Sequence, residues 1–391
     1  SRDHIAAANE AFARPVPKDL MNYLERHKDT LAPELQKVWA ANGLKTAGTW
    51  EEVFGPGRPD SVPPVPEAER DTAWHQTYWL VDEIFMAWRY SMYVGKVAAA
   101  GKAEYDIPMY CNTWLQEPSH PQPGQFPSGC PEPEVHDIWR FGAPKIDILA
   151  PDLYVPLFTE TCERFIRNGN PMFIPETSVN ASNALIAYLK FNSICFSPFG
   201  IEGRGPAQGS NGPPPPDALA QTYAVLDYLA PVILENQGKG TIELLSAADD
   251  TNAPPQVLKL GDYTLEIRYG AGGGVGTRGG SRDGGRRGGG GRGGFRGEGG
   301  VGGVANVSPA RFVINSGPGE YWFVGGPMSV TFTANAPERG SVVMGSFDEA
   351  LNVNGRWVAG RRLNGDETGN NTRWPGMGTF GIYHYTVFQR P

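Results

Sequence analysis

The segment Asn170-Pro171-Met172-Phe173-Ile174-Pro175-Glu176-Thr177 is a short apolar run that follows Gly169 and ends in a carboxylate. Buried parallel strands have this composition, and in α/β barrels the functional side chains lie where such strands end. The alternative is an ordinary strand followed by a solvent-exposed glutamate. The neighbouring segments decide between these two interpretations.

Three further segments repeat the pattern of a short apolar strand with polar residues at its carboxyl end. They are predicted at 106–112, 145–154 and 192–200, with helices at about 158–167 and 182–189. Strands that alternate with helices indicate a parallel α/β sheet. A doubly wound sheet is possible, but no glycine-rich phosphate turn follows any of these strands. The polar strand ends favour a (β/α)8 TIM barrel, of which four strands are half.

The residues before these strands are predicted to be mainly helical. Apolar residues at spacings of three and four predict helices over 17–42 and 69–100, and Pro33 breaks the first of them in two. The segment 49–67 is rich in Pro and Gly and is predicted to be a connection. A helix from about 218 to 234 is expected to close the barrel region.

From residue 241 onward the pattern predicts strands only. They are expected at 256–260, 263–269, 311–314, 321–324, 329–333, 341–346 and 380–388, and Asn354-Gly355 predicts a tight hairpin. An antiparallel β-sandwich fits this pattern. We therefore predict two domains: a partial barrel over 1–238, which holds strands five to eight, and a β-sandwich over 239–391.

The segment 270–303 is a run of Gly interrupted by Arg. It has too few apolar residues to form a core and is predicted to be a disordered insertion between two strands. Its Arg-Gly-Gly texture resembles RNA-binding tails, but Phe295 is its only aromatic residue. Nucleic-acid binding through this segment is kept as an alternative hypothesis but is not expected.

Composition excludes several classes of function. The chain has 391 residues with a formal net charge of -8, 40% hydrophobic residues and 19% charged residues. A net negative charge argues against a nucleic-acid binder that works through general basicity. No run of about 18 apolar residues exists, so no membrane span is predicted. Abundant Trp and Tyr suit a cleft that binds sugars.

Polar residues at the predicted strand ends form one candidate site. These residues are Tyr110, Asn112, Asp152, Tyr154, Glu176 and Glu202, with Trp114 close by. Hydroxyl, amide and carboxylate groups beside aromatic rings suit a sugar ring, which has many hydroxyls and an apolar face. No His follows a strand in a metal-binding or triad arrangement, so no metal and no cofactor is predicted, and nucleophilic Ser or Cys chemistry lacks a base.

Four motifs, in the expected order, carry a resemblance to a known family. PKIDILAPDLY (144–154), NPMFIPET (170–177), FSPFGIEG (196–203) and GRWVAGRRLNGDET (355–368) resemble the bacterial β-galactosidases of glycoside hydrolase family 35, in the branch with an extra C-terminal β domain. The resemblance extends over nearly the whole chain outside the Gly/Arg run. It implies a retaining hydrolase of terminal β-galactosides, located in the periplasm or outside the cell and able to form homo-oligomers.

The resemblance also implies roles for individual residues. Glu176, on the strand that corresponds to the seventh of the barrel, matches the catalytic nucleophile. Tyr110, Asn112, Asp152, Tyr154, Trp114 and Glu202 are expected to contact the sugar. The acid/base Glu of the family belongs to an Asn-Glu motif on the fourth strand, which is expected upstream of Ser1. The chain is therefore expected to be the C-terminal part of such an enzyme and to be inactive alone, or to be a non-catalytic carbohydrate-binding remnant.

Overall fold

The structure divides into two units. The computed structural model describes residues 6–59, 61, 66, 68, 78–117, 120–201, 218–245, 254–269, 311–326, 328–363 and 380–390. The first unit spans 1–179 and 186–205, and the second spans 180–185 and 206–391. The predicted insertion 270–303 and Glu202 lie outside the described residues, so their predictions stay predictions.

The first unit begins with helices and continues with alternating strands and helices. Its described helices are Ala6–Phe12, Lys18–Arg26, Pro33–Ala41, Trp50–Phe54, Leu80–Glu104, His136–Gly142 and Phe158–Phe165, with a π-helical turn at Ile186–Lys190 and 3-10 turns at Pro133–Val135 and Arg167–Gly169. The predicted break at Pro33 is confirmed, because a new helix begins there. The helix Trp50–Phe54 was predicted to be a connection. Thr49 caps it, and Glu52 returns a bond to the Thr49 amide.

Four parallel strands form the sheet of the first unit. They are β1 (Tyr110–Trp114), β2 (Ile148–Leu153), β3 (Ile174–Thr177) and β4 (Phe196–Pro198), in the order β1-β2-β3-β4. All three pairs are parallel, so the predicted parallel α/β sheet is confirmed. Within the described part of the chain, β1 and β4 are the edges of this sheet.

The first strand lies further along the chain than its pattern predicts. It was expected at 106–112 and is found at Tyr110–Trp114. Pro108 has no amide hydrogen and cannot donate to a sheet ladder, which disfavours pairing at the start of the predicted segment. The carboxyl end of β1 is therefore Trp114 rather than Asn112.

The side chain of Asn170 substitutes for backbone pairing where β3 approaches β2. Its Oδ1 accepts a hydrogen bond from the amide of Leu149 at 3.0 Å, and its Nδ2 donates to the carbonyl of Leu149 at 2.8 Å. Pro171 and Pro175 lie on the same segment and have no amide hydrogen to donate. The buried amide of Asn170 thus fixes the alignment of this segment with β2.

Two helices of the first unit pack together at very short range. A Cβ added to Gly95, on the helix Leu80–Glu104, would lie 2.2 Å from the carbonyl oxygen of Gly142. A Cβ added to Gly142 would lie 2.0 Å from the hydroxyl of Ser91. Both positions therefore require Gly for this close approach.

An ion pair with a buried carboxylate connects the segments before and after the long helix. Arg167 donates to Asp137 Oδ2 at 2.9 Å and to the carbonyl of Thr30 at 2.7 Å. Asp137 Oδ2 also accepts the amide of Ala32 at 2.7 Å. Only 4% of the Asp137 side chain is exposed, so this carboxylate holds together three segments that are distant in sequence.

The second unit is a β-sandwich with one long helix. The described elements are the helices Ala181–Leu185 and Ala218–Asn236, a 3-10 turn at Pro337–Arg339, and strands β5 (Ile242–Leu244), β6 (Gln256–Leu260), β7 (Tyr263–Tyr269), β8 (Phe312–Gly317), β9 (Glu320–Gly325), β10 (Met328–Ala334), β11 (Ser341–Val353), β12 (Arg356–Arg362) and β13 (Gly381–Arg390). They form two antiparallel sheets, in the orders β10-β7-β6 and β12-β11-β13-β9-β8-β5.

Alternation along these strands places aromatic and aliphatic side chains between the two sheets. This core contains Leu265, Ile267, Val330, Phe332, Tyr321, Phe323, Tyr383 and Tyr385. The predicted hairpin is confirmed: Asn354 and Gly355 have positive φ values of 52° and 83° and connect β11 to β12. The antiparallel C-terminal part predicted from the strand pattern is therefore present. The short strand β5 was not predicted.

The helix Ala218–Asn236 belongs to the second unit. It was expected to close the barrel region, with a domain boundary at 238. Its buried side chains include Leu219, Val225, Leu229 and Ile233, and the helix contacts β8 and β12 of the six-stranded sheet. The boundary between the units therefore precedes this helix.

None of the described helices combines the length and apolar character needed to cross a membrane.

Candidate functional site

Three adjacent strands place side chains side by side at the carboxyl end of the parallel sheet. Trp114 on β1 is in register with Asp152 on β2, which is in register with Glu176 on β3. Residues in register on neighbouring strands project from the same face of a sheet. The hydroxyl of Thr177 donates to the carbonyl of Leu153 at 2.7 Å, which fixes the strand end beside Glu176.

Glu176 accepts a hydrogen bond from a tyrosine on the neighbouring strand end. The hydroxyl of Tyr154 donates to Glu176 Oε1 at 2.7 Å. The pKa of Tyr154 is raised, first by burial and then by this bond to Glu176. Tyr154 therefore keeps its proton and acts as a donor to the carboxylate.

Asp152 is the more buried of the two carboxyl groups. Its Oδ2 accepts a hydrogen bond from Asn112 Nδ2 at 2.8 Å, and only 8% of the residue is exposed. Burial raises the pKa of Asp152 to about 6; the bond from Asn112 opposes this rise and the charge of Glu176 adds to it. Within the described residues, its buried Oδ1 has no hydrogen-bond partner.

Aromatic side chains lie at the ends of the strands around these carboxyls. Trp114 is 58% exposed, Tyr154 is 45% exposed and Phe199, which follows β4, is 73% exposed. The indole Nε1 of Trp114 donates to Glu117 Oε1 at 3.2 Å, which restrains the ring. The amide of Phe199 donates to the carbonyl of Thr177 at 2.9 Å. Exposed aromatic faces beside polar groups are suited to the apolar face of a sugar.

The structure brings together five of the seven predicted site residues. Asn112, Asp152, Tyr154 and Glu176 are connected by hydrogen bonds or strand register, and Trp114 lies beside them. Tyr110 is separate from these residues, because it is the first residue of β1 and lies at the amino end of the sheet. There its ring packs against Phe173, with 4.7 Å between the ring centroids. Tyr110 lies at this end because β1 starts later in the chain than predicted. Glu202 lies outside the described residues.

Two residues at the edge of the candidate site, Phe199 and Glu117, were not predicted. Phe199 lies in the segment 192–200, which was predicted to be a strand. An aromatic residue directly after the end of a strand is the sequence signal that could have identified it as a site residue. Glu117 was assigned to a Pro/Gly-rich loop, and only the structure shows its carboxylate on the indole of Trp114. His120 lies next to Glu117, with Nδ1 3.7 Å from Glu117 Oε2.

The arrangement offers one carboxylate held by a hydroxyl donor and one buried carboxyl held by an amide. Such a pair can supply an ionised oxygen and a proton-carrying oxygen within one site. Among the described residues, no group of three or more His, Cys, Asp or Glu is placed to hold a metal ion.

The fold and the site define a mixed α/β protein that has a carboxylate site on a parallel sheet and a C-terminal antiparallel sandwich. Residues 219–374 match a family model described as a domain of unknown function, DUF5597. The match begins with the helix Ala218–Asn236 and covers most of the sandwich, in agreement with a domain boundary that precedes this helix. No curated protein matches the chain.

Proposed function

We propose that this chain contains the nucleophile half of a retaining glycoside hydrolase that acts on terminal β-galactosides. The observation that carries the proposal is the hydrogen bond from Tyr154 to Glu176 at the end of a parallel strand. A nucleophilic carboxylate has to be ionised and held in one orientation, and a tyrosine hydroxyl favours both. Glu176 is the nucleophile in this proposal.

The groups beside Glu176 support recognition of a sugar. Asp152 presents a carboxyl group one strand away from Glu176, and Asn112 presents an amide group two strands away, where they can bond to sugar hydroxyls. Trp114 and Phe199 supply exposed rings on the two sides of the carboxyls. The choice of galactose over other sugars rests on the family resemblance of the four sequence motifs.

The proposal includes further strands that complete a (β/α)8 barrel. Parallel sheets are normally covered on both faces, and barrels have no free edges. In the described part of the chain, β1 and β4 have free edges, and Tyr110 and Trp114 of β1 are exposed. In a complete barrel, a glutamate on another strand would protonate the leaving oxygen, about 5 Å from the carboxyl of Glu176.

The nucleophile can be tested in this chain without an acid catalyst. A 2-deoxy-2-fluoro-β-galactoside with a dinitrophenolate leaving group needs no proton on the departing oxygen, and the fluorine slows breakdown of the covalent product. We expect mass spectrometry to find the fluorosugar on the peptide that contains Glu176. Glu176→Gln should remove the label. Glu163→Gln should keep it, because Glu163 is a surface carboxylate paired with Lys190.

A carbohydrate-binding protein without catalysis is the second candidate, and the exposed, hydrogen-bonded Trp114 favours it. Calorimetric titration with galactose and lactose separates the two functions. Binding that is weakened by Trp114→Ala, without any label on Glu176, would assign the chain to the second class. Label on a different residue, or neither label nor binding, would contradict the proposed hydrolase.

A further inference from the structure

Asp152 and Glu176 form a pair of carboxyl groups on adjacent strands. They are in register, so their side chains leave the same face of the sheet from backbones about 4.8 Å apart. Two carboxylates that share a site repel each other, and the second proton is therefore harder to remove than the first. The surroundings of each group decide which of the two keeps a proton.

The two groups have unequal surroundings. Glu176 is half-buried and accepts the hydroxyl of Tyr154, and both solvent contact and a donated hydrogen bond favour a negative charge. Asp152 is buried, accepts one bond from Asn112 and has a second oxygen without a partner in the described part of the chain. A charge on Asp152 is therefore the less favourable of the two.

We propose that in mildly acidic solution the two carboxyl groups of the free site carry a single negative charge, with the charge on Glu176 and the proton on Asp152. Asp152 is then a positioning residue that controls the reactivity of Glu176. The groups that interact with it are Asn112 from β1, Tyr154 from the end of its own strand and Glu176 from β3, and Cys111 of β1 interacts with it electrostatically. A pKa of Asp152 raised by burial to about 6 agrees with this assignment.

The consequence for reactivity rests on the proposed function. When Glu176 attacks the anomeric carbon, a C–O bond forms to the carboxylate oxygen. The bond to the leaving group breaks, and that group takes the electron pair. The charge of Glu176 disappears in the resulting ester. An ionised Asp152 repels the carboxylate before attack and not the ester after it, so loss of the Asp152 proton favours the covalent product.

A carbon-13 NMR titration of the side-chain carboxyls tests the shared charge without any sugar. The Asp152 resonance is the one that disappears in Asp152→Asn. We expect its midpoint near pH 6 in the wild type, and lower in Glu176→Gln, where the neighbouring charge is absent. If Asp152→Asn does not fold, Asn112→Ala identifies the resonance by shifting it. A wild-type midpoint near the ordinary value of about 4, or no change in Glu176→Gln, would overturn the proposal.

The pH dependence of fluorosugar labelling tests the consequence. We expect the labelling rate of the wild type to rise through pH 6, by up to about tenfold for each pKa unit of coupling. Asp152→Asn, which has no proton to lose, should lack this step. A step that persists in Asp152→Asn would show that another group controls Glu176. If no label forms at all, the proposed hydrolase fails, while the NMR titration still decides the shared charge.

Discussion

The hydroxyl of Tyr154 lies 2.7 Å from Oε1 of Glu176 and donates a hydrogen bond to it across the ends of two parallel strands. Tyr154→Phe removes the donor and little else. Because this hydrogen bond fixes the orientation of the carboxylate, and misplacement of a reacting group by about 1 Å can slow a reaction by about 100-fold, we expect fluorosugar labelling to slow by about 10- to 100-fold. The melting temperature should change no more than it does in an ordinary surface substitution. Tyr105→Phe is the matched control, since Tyr105 is 72% exposed. Equal labelling rates in both variants would remove Tyr154 from the mechanism.

Asn112 opposes the rise in the pKa of Asp152. Asn112→Ala removes the bond to Oδ2 and leaves the buried carboxyl less able to hold a charge. We therefore expect the NMR midpoint of Asp152 to move above its wild-type position near pH 6. Asn22→Ala, on an exposed helix position, should leave it unchanged. A downward shift in Asn112→Ala would mean that the amide does not stabilise the ionised form.

Glu83 is fully buried in the first unit, where its carboxylate accepts the amide of Gly129. Burial raises its pKa to about 8. The folded state then binds a proton that the unfolded state releases, so this contribution to stability is present below about pH 4.5 and is lost as the pH rises through 8. Glu83→Gln keeps an acceptor for Gly129 and carries no charge.

We expect Glu83→Gln to be more stable than the wild type above pH 8, by on the order of 2–4 kcal/mol, and to lose this advantage near pH 5. Urea denaturation at several pH values measures the difference. Glu25→Gln, on an exposed face, provides the control for loss of a charge. A pH-independent difference between Glu83→Gln and the wild type would show that Glu83 does not titrate in the folded protein.

Asp137 accepts both the guanidinium of Arg167 and the amide of Ala32. Asp137→Ala leaves Arg167 without its buried partner, and such losses cost about 3–5 kcal/mol. Urea denaturation should show this loss, with a smaller one in Asp137→Asn, which keeps an acceptor oxygen. Glu163→Ala removes the partner of Lys190 in an exposed ion pair. It should lower the free energy of unfolding by less than about 1 kcal/mol. Equal effects in Asp137→Ala and Glu163→Ala would contradict the proposed anchoring role.

Elements whose signal is local could be predicted from the sequence. Pro33 marks a helix start, and Asn354-Gly355 marks a hairpin, because the backbone preferences of Pro, Asn and Gly act within a few residues. Thr49 and Glu52 also form a local signal, a capping box. The density of Pro and Gly around them led to the prediction of a connection instead.

Features that depend on pairing between distant segments were less predictable. A shift of a few residues in the start of β1 moves Tyr110 from the expected site to the opposite end of the sheet. Side-chain partners such as Glu117 on Trp114 depend on loop geometry. The helix Ala218–Asn236 has an apolar face that fits either unit by pattern alone, and its packing against β8 and β12 decides the assignment.

The amide of Asn170 lies six residues before Glu176, about 20 Å away if the chain between them is extended. It fixes how the segment aligns with β2, where two prolines leave few backbone bonds to do so. A slip of one residue would turn the side chain of Glu176 to the other face of the sheet. The direction of the Glu176 side chain, the proposed nucleophile, is thus set by a residue that precedes the amino end of β3. A search for inactivating variants, or a redesign of specificity, would therefore have to keep Asn170 unchanged, although it is buried and lies six residues from Glu176 in the sequence.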